Sequence, residues 1–244
     1  MKKALKAQDV GRFSTITWDE LATITVPEVV AVYDEVVGLP DALQTDLVSV
    51  FVRLRGVTPL LQHRPVLQAK KRQRGETYVP EEEAEKAAYR HPINGWLYVK
   101  NEVIRSFLRD FSIIITKRQL ADKFMRSIEL VRPREIPLLD PVTSDYIRTY
   151  EIMEYTGMLN PRVGRVVQWR PMIPSWRLDF IVLLNTWFFE TSDLLSMLHE
   201  AFVIGGRVIG IGDWRPTIVK SGKITHTGGE YGRFIVDDFR VITK

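Results

Sequence analysis

His63, His91, His199 and His226 are the four histidines of a 244-residue chain that has no cysteine. Proton transfer near neutral pH therefore falls to them and to the carboxylates. No two have the i, i+4 or x3–5 spacing that brings imidazoles onto one metal ion. His199 lies in a helical pattern and reads as a packed or surface side chain. The missing thiol removes disulfide frameworks, thiolate nucleophiles and cysteine zinc sites together, and it fits a reducing compartment. Gly222 to Thr225 (GKIT) resembles the end of a phosphate loop, but it lacks the upstream glycine and the Ser or Thr directly after Lys223. There is no Gly-x-Ser-x-Gly elbow. Asp237 and Asp238 are adjacent in a strand pattern, so they are expected on opposite faces and not as an acid/base pair. The expectation is a chain with no metal, no cofactor and no legible catalytic set.

The charges are more informative than the nucleophiles. From Leu47 to Gly75 there is no acid, while Arg53, Arg55, Arg64, Lys70, Lys71, Arg72 and Arg74 accumulate. Such a run suits phosphate binding. Glu76, Glu81, Glu82, Glu83 and Glu85 follow, and they either neutralise the run or serve a neighbouring subunit's basic surface. The second constellation is GGRVIGIGDWRP (Gly205 to Pro216) followed by GGEYGRF (Gly228 to Phe234). Gly205, Gly206, Gly210 and Gly212 would let backbone approach a ligand closely, with Trp214 as a stacking face and Arg215 and Arg233 as phosphate forks. The alternative is a Gly-rich hairpin capped by a tryptophan wedge. Gly210-x-Gly212 is not a dinucleotide fingerprint, because no helix opens behind it.

These residues need elements to position them. The chain is 45% hydrophobic and 26% charged with a net charge of +4, the balance of a globular protein of one large or two small domains. Its apolar stretches stop well short of the roughly 20 residues of a membrane span. The basic start has no apolar core of a signal peptide, so a cytoplasmic protein with no membrane partner is expected. Alternation predicts a strand from Leu47 to Val57, after a strand at Ala22 to Val26 and a segment from Pro27 that suits helix or strand. Residues 62–92 form a long excursion. A helix is expected over 100–112 with Asn101 as its N-cap, then a strand at 127–131 and an irregular, proline-rich stretch over 132–141. Strands at Tyr146 to Thr156 and Val163 to Arg170 are joined through a turn at Gly157 to Arg162. A buried strand covers 176–184, and a helix runs from Thr191 to Phe202 with Thr191 or Ser192 at its cap and Gly205-Gly206 past its end. Short strands at Arg207 to Ile211 and Arg233 to Ile242 would share the last position. This order is an α+β, ferredoxin-like (RRM-like) βαββαβ unit. It would occupy 47–244, with insertions at about 62–92, 132–170 and 217–230, after an N-terminal segment over 1–46.

Three motifs carry a family resemblance: Gly56-Val57-Thr58-Pro59-Leu60 after the first strand, Gly95 to Val99 (GWLYV) leading into IRSFLRD, and the Gly-rich element after the second helix. With this element order they resemble the RAMP superfamily, the ferredoxin-like RNA-binding proteins of CRISPR systems, particularly the backbone subunits that polymerise along guide RNA. A phage-encoded relative, working in the host cytoplasm, would fit the same layout. The resemblance implies a non-catalytic subunit holding single-stranded RNA or DNA, RNA more than DNA, as a homo-oligomer or within a ribonucleoprotein complex. Arg53, Arg55 and the Lys70 to Arg74 loop would line the groove, with Trp214, Arg215 and Arg233 beside it. A metal-independent endoribonuclease of the same fold would use His91 or His226, which lie near the places where the family's nucleases keep a histidine. A viral assembly protein would instead use the excursion and the N-terminal arm to wrap neighbours. The sequence departs from the family where Thr217 to Thr227 divides the Gly-rich element from the final strand.

Overall fold

The computed structural model describes residues 12–37, 46–64, 79–115, 118–160, 164–220, 223–226 and 229–243. From the N-terminus, β1 (Ser14–Thr17) leads into α1 (Trp18–Ile24), α2 (Pro27–Val30) and α3 (Val32–Val37). Then come β2 (Leu47–Gly56), a short β3 (Leu60–Leu61) and α4 (Pro80–Ala87). Next, β4 (Tyr98–Lys100) runs into α5 (Asn101–Ile115), α6 (Arg118–Ser127), β5 (Ile128–Arg132) and β6 (Glu135–Pro137). A hairpin of β7 (Glu151–Asn160) and β8 (Gly164–Ile173) precedes β9 (Arg177–Asn185) and α7 (Thr191–Val208). The chain closes with β10 (Thr217–Lys220), β11 (Lys223–His226) and β12 (Phe234–Thr243).

The main sheet has the order β1-β12-β2-β9-β5. Within it the successive pairs β12–β2, β2–β9 and β9–β5 are antiparallel. With α5 and α7 as the connecting helices, these are strands 4-1-3-2 of a ferredoxin-like βαββαβ unit, and the fold is α+β. Alternation explains the layering. Val48, Val50, Val52 and Leu54 face the same way as Leu178, Phe180, Val182 and Leu184, and meet Ile104, Phe107, Leu108 and Phe111 of α5 and Leu194, Leu198 and Phe202 of α7. The α5 residues recur at i, i+3, i+4 and i+7, which puts them on one helix face. Each such side chain, fully buried, contributes about 1.5–3 kcal/mol. On the opposite face Phe51, Ile181 and Ile242 pack with Ile16, Leu21, Val29 and Val32. β1 extends the sheet edge parallel to β12.

Several expected elements differ. Ala22 to Val26 is not a strand, because Thr17 and Glu20 form a capping box: Glu20 N donates to Thr17 Oγ1 at 3.3 Å and Thr17 N to Glu20 Oε2 at 2.8 Å. The second long helix does not end before Gly205-Gly206; both lie inside α7, and Arg207 to Ile211 is not a strand. The reason is close packing. A Cβ at Gly205 would stand 2.6 Å from Phe107 Cζ, and one at Gly206 would stand 2.6 Å from the Phe234 carbonyl oxygen. Two glycines cost about 1 kcal/mol each in helix propensity, which this contact with the core offsets. The α7 N-cap is Glu190 and makes no side-chain cap bond, so neither Thr191 nor Ser192 holds that position. Asn101 begins α5 with its amide donating to Val131 O at 2.8 Å. The hairpin ladder continues through Gly157↔Val166 to Asn160↔Gly164, so the connection is shorter than the expected Gly157 to Arg162. A register shift between Val236 and Asp238 lets Asp237 reach Arg55 while Asp238 reaches Arg240, so the two carboxylates do not separate to opposite faces.

Candidate nucleic-acid interface

At one end of the sheet, the loops after β2, after α7 and before β12 are laced together through their backbones. Gly232 N donates to Pro59 O at 2.8 Å, Ile211 N to Gly232 O at 2.9 Å, Asp213 N to Leu61 O at 2.9 Å and Val57 N to Arg233 O at 2.9 Å. Thr58 adds to this: its Oγ1 accepts from Arg233 N and its carbonyl from Trp176 Nε1, both at 2.9 Å. Such contacts leave no room for side chains. A Cβ at Gly232 would lie 1.7 Å from Ile211 O, and Gly212, at φ 84°, would set its Cβ 2.6 Å from Leu61 O. Trp214 adopts φ 47° and stacks on Tyr231 with ring centroids 5.8 Å apart. A non-glycine residue held there marks a conformation fixed by its surroundings.

Beside this braid is a cleft of about 250 Å³. Its floor is apolar, from Leu60, Val99 and Val103, and its rim carries His63, Lys100 and Arg215. Buried Gln62 fixes one wall, donating to Tyr98 O and accepting from Tyr89 N, each at 2.8 Å. Lys100 Nζ stands 5.6 Å from the Tyr89 ring centroid. His63 Nδ1 is 3.5 Å from Asp213 Oδ2, and Arg170 Nε is 3.3 Å from the same oxygen. Burial and the Arg170 cation hold the His63 imidazole below its ordinary pKa, against the opposing pull of Asp213. Arg215 Nη2 bonds the buried Asp110 carboxylate at 2.6 Å, which fixes the Gly-rich loop to α5.

The residues singled out by sequence fall into distinct settings. Arg53 binds Asp179 with both Nε (2.9 Å) and Nη2 (2.7 Å) and also donates to Ile24 O. Arg55 pairs with Asp237 at 2.8 Å. Arg64 is exposed, and its N–H anchors on Ala87 O at 2.9 Å. Lys70, Lys71, Arg72 and Arg74 lie outside the described residues. Arg215 and Trp214 belong to the braid and cleft; Arg233 is held by Thr58, with its Nε buried. Gly210 and Gly212 make close approach to the chain's own backbone, and Gly205 and Gly206 to its core.

The histidines separate similarly. His91 stacks on Trp96 at 4.4 Å and accepts from Asn94 N at 3.1 Å, closing a turn. His226 is exposed on β11, 3.2 Å from Thr217 Oγ1. Neither lines the cleft. His63, Tyr89 and Lys100 were not singled out by spacing; the signal available was position, since His63 lies two residues past β3 and Lys100 is the last residue of β4. Among the described residues, no group of three or more His, Asp or Glu side chains is arranged to hold a metal ion. No helix among them is long and apolar enough to cross a membrane.

No family model matches the sequence, and no curated protein matches it. A chain in a solved structure described as "Cryo-EM structure of the Type III-B Cmr-beta bound to cognate target RNA" is similar over 93% of this chain and 73% of that chain, with 13% identity and a TM-score of 0.49. The strand order and connections, rather than this likeness, carry the fold assignment.

Proposed function

We propose that this chain is a non-catalytic subunit that holds single-stranded nucleic acid by its backbone, RNA in preference to DNA, within a cytoplasmic ribonucleoprotein complex and on a RAMP-type scaffold. One observation carries the reading: exposed Lys100 stands on the rim of a Tyr89-lined cleft beside the braid, and exposed Arg64 follows the cleft-lining His63. Among the described residues neither cation is paired with a carboxylate. Arg64 is followed in sequence by the basic run of Lys70, Lys71, Arg72 and Arg74. A fixed cationic rim beside aromatic and apolar surface is the combination that tracks a phosphate backbone and tolerates any base. The preference for RNA rests on the motif resemblance. Arg53 and Arg55, held by acids of neighbouring strands, stabilise the sheet in this account, while Trp214 and Arg215 shape the loop beside the strand. Filter binding of nuclease-treated protein to labelled single strands, repeated across salt concentrations, tests the reading. The logarithm of the affinity for RNA should fall linearly with log salt, and replacing Lys70, Lys71, Arg72 and Arg74 by Ala should weaken binding without unfolding the protein. Absence of binding to any single strand, or salt-independent binding, removes the proposal.

A further inference from the structure

The cleft is chemically divided, and the division suggests what enters it. Leu60, Val99 and Val103 form a floor that gains from covering by a flat, weakly polar ring, while Lys100 and His63 on the rim suit an oxyanion. A bare phosphate would leave the floor wet, and a purely apolar ligand would desolvate the rim without compensation. A volume of about 250 Å³ suits one nucleotide rather than a stack of them. We infer that the cleft is a subsite for a single nucleotide of the bound strand, its base on the apolar floor beside Tyr89 and its phosphodiester between Lys100 Nζ and the His63 imidazole. This rests on the reading of the chain as strand-binding and adds where one nucleotide is seated and what governs it.

The site is linked to protons. His63 faces Asp213 of the Gly-rich loop and Arg170 of β8, and shares the cleft with Lys100, Arg215 and Tyr89. In the free protein the imidazole is held below its ordinary pKa. A phosphodiester beside it favours the charged form, so its pKa in the complex is higher and binding takes up a proton. Affinity is then greater below the free-state pKa and falls as pH rises through the pKa of the complex. A one-unit difference corresponds to about tenfold in affinity.

The dinucleotide UpU is a suitable probe, because its phosphodiester does not titrate in this range. Calorimetric titration of nuclease-treated full chain at pH 5.5 and 8 should show saturable binding about tenfold tighter at the lower pH, with uridine alone much weaker. Lys100→Ala should weaken UpU binding several-fold at both pH values, whereas His63→Gln should remove the pH dependence and keep most of the affinity at pH 8. Both side chains are on the rim, and an unchanged Tm would exclude unfolding. UpU binding no tighter than uridine, or a pH dependence that survives His63→Gln, overturns the inference. If long single strands bind with a normal salt slope while UpU does not bind, the subsite fails and the strand-binding reading stands. If UpU binds as described but long strands do not, the subsite stands and that reading fails.

Discussion

The acid-free run from Leu47 supplies arginines to two regions that treat them differently. On the sheet face, Arg53 and Arg55 meet Asp179 of β9 and Asp237 of β12, and Arg240 meets Asp238. At the loop end, Lys100 lines a cleft and Arg64 follows the cleft-lining His63, and neither pairs with a carboxylate among the described residues. The acids that answer Arg53 and Arg55 are more than 120 positions away in sequence. Local charge counting therefore overstates the cations free on the strand. Cross-strand register decides whether a basic side chain is structural or available for a ligand.

Removing the partner of the most buried pair should have the largest effect. Asp179 is fully buried and is contacted by both Arg53 and Arg177. Asp179→Ala leaves two guanidinium groups without their shared counter-charge, and urea unfolding should show a loss of about 3–5 kcal/mol. Retention of full stability would mean that the sheet-face arginines are not structural. Gly232→Ala comes next, since the added methyl has no space at Ile211 O and the backbone sits at φ 68°. It should cost about 2 kcal/mol by the same measurement and weaken strand binding by distorting the braid. Weaker binding without any loss of stability would place Gly232 at the ligand itself. Arg55→Ala should matter least: its pair with Asp237 is exposed and screened by solvent, so no resolvable loss of stability and unaltered strand affinity are expected.

Much of the scaffold was legible in the sequence. Period-two alternation in Leu47–Gly56 and the i, i+3, i+4, i+7 pattern of Ile104, Phe107, Leu108 and Phe111 are local signals, and they give the βαββαβ order directly. Failures came where tertiary contacts or caps outweighed residue type. The β-branched ATITV suggested a strand, although Thr17-Trp18-Asp19-Glu20 carried a capping signature just ahead of it. Gly205 and Gly206 looked like a helix stop, although their role is to let α7 approach Phe107 and Phe234. The Gly-Val-Thr-Pro-Leu motif and the Gly-rich element were visible separately. Their lacing was not, because the backbone bonds that join the two are between loops more than 150 residues apart, such as Asp213 N to Leu61 O. The cleft assembled from His63, Tyr89, Lys100 and Asp213 was hidden for the same reason.

The central claim is that the loop end, not the sheet face, carries the phosphate contacts. The most direct test is the slope of log affinity against log salt for single-stranded RNA, measured for the unaltered chain, for Arg64→Ala with Lys100→Ala, and for Arg55→Ala. Loss of two phosphate contacts should reduce the slope by about 1.4 in the double variant, while Arg55→Ala leaves it unchanged. An unchanged slope in the double variant, with a reduced one in Arg55→Ala, would contradict the account and return the strand to the sheet face.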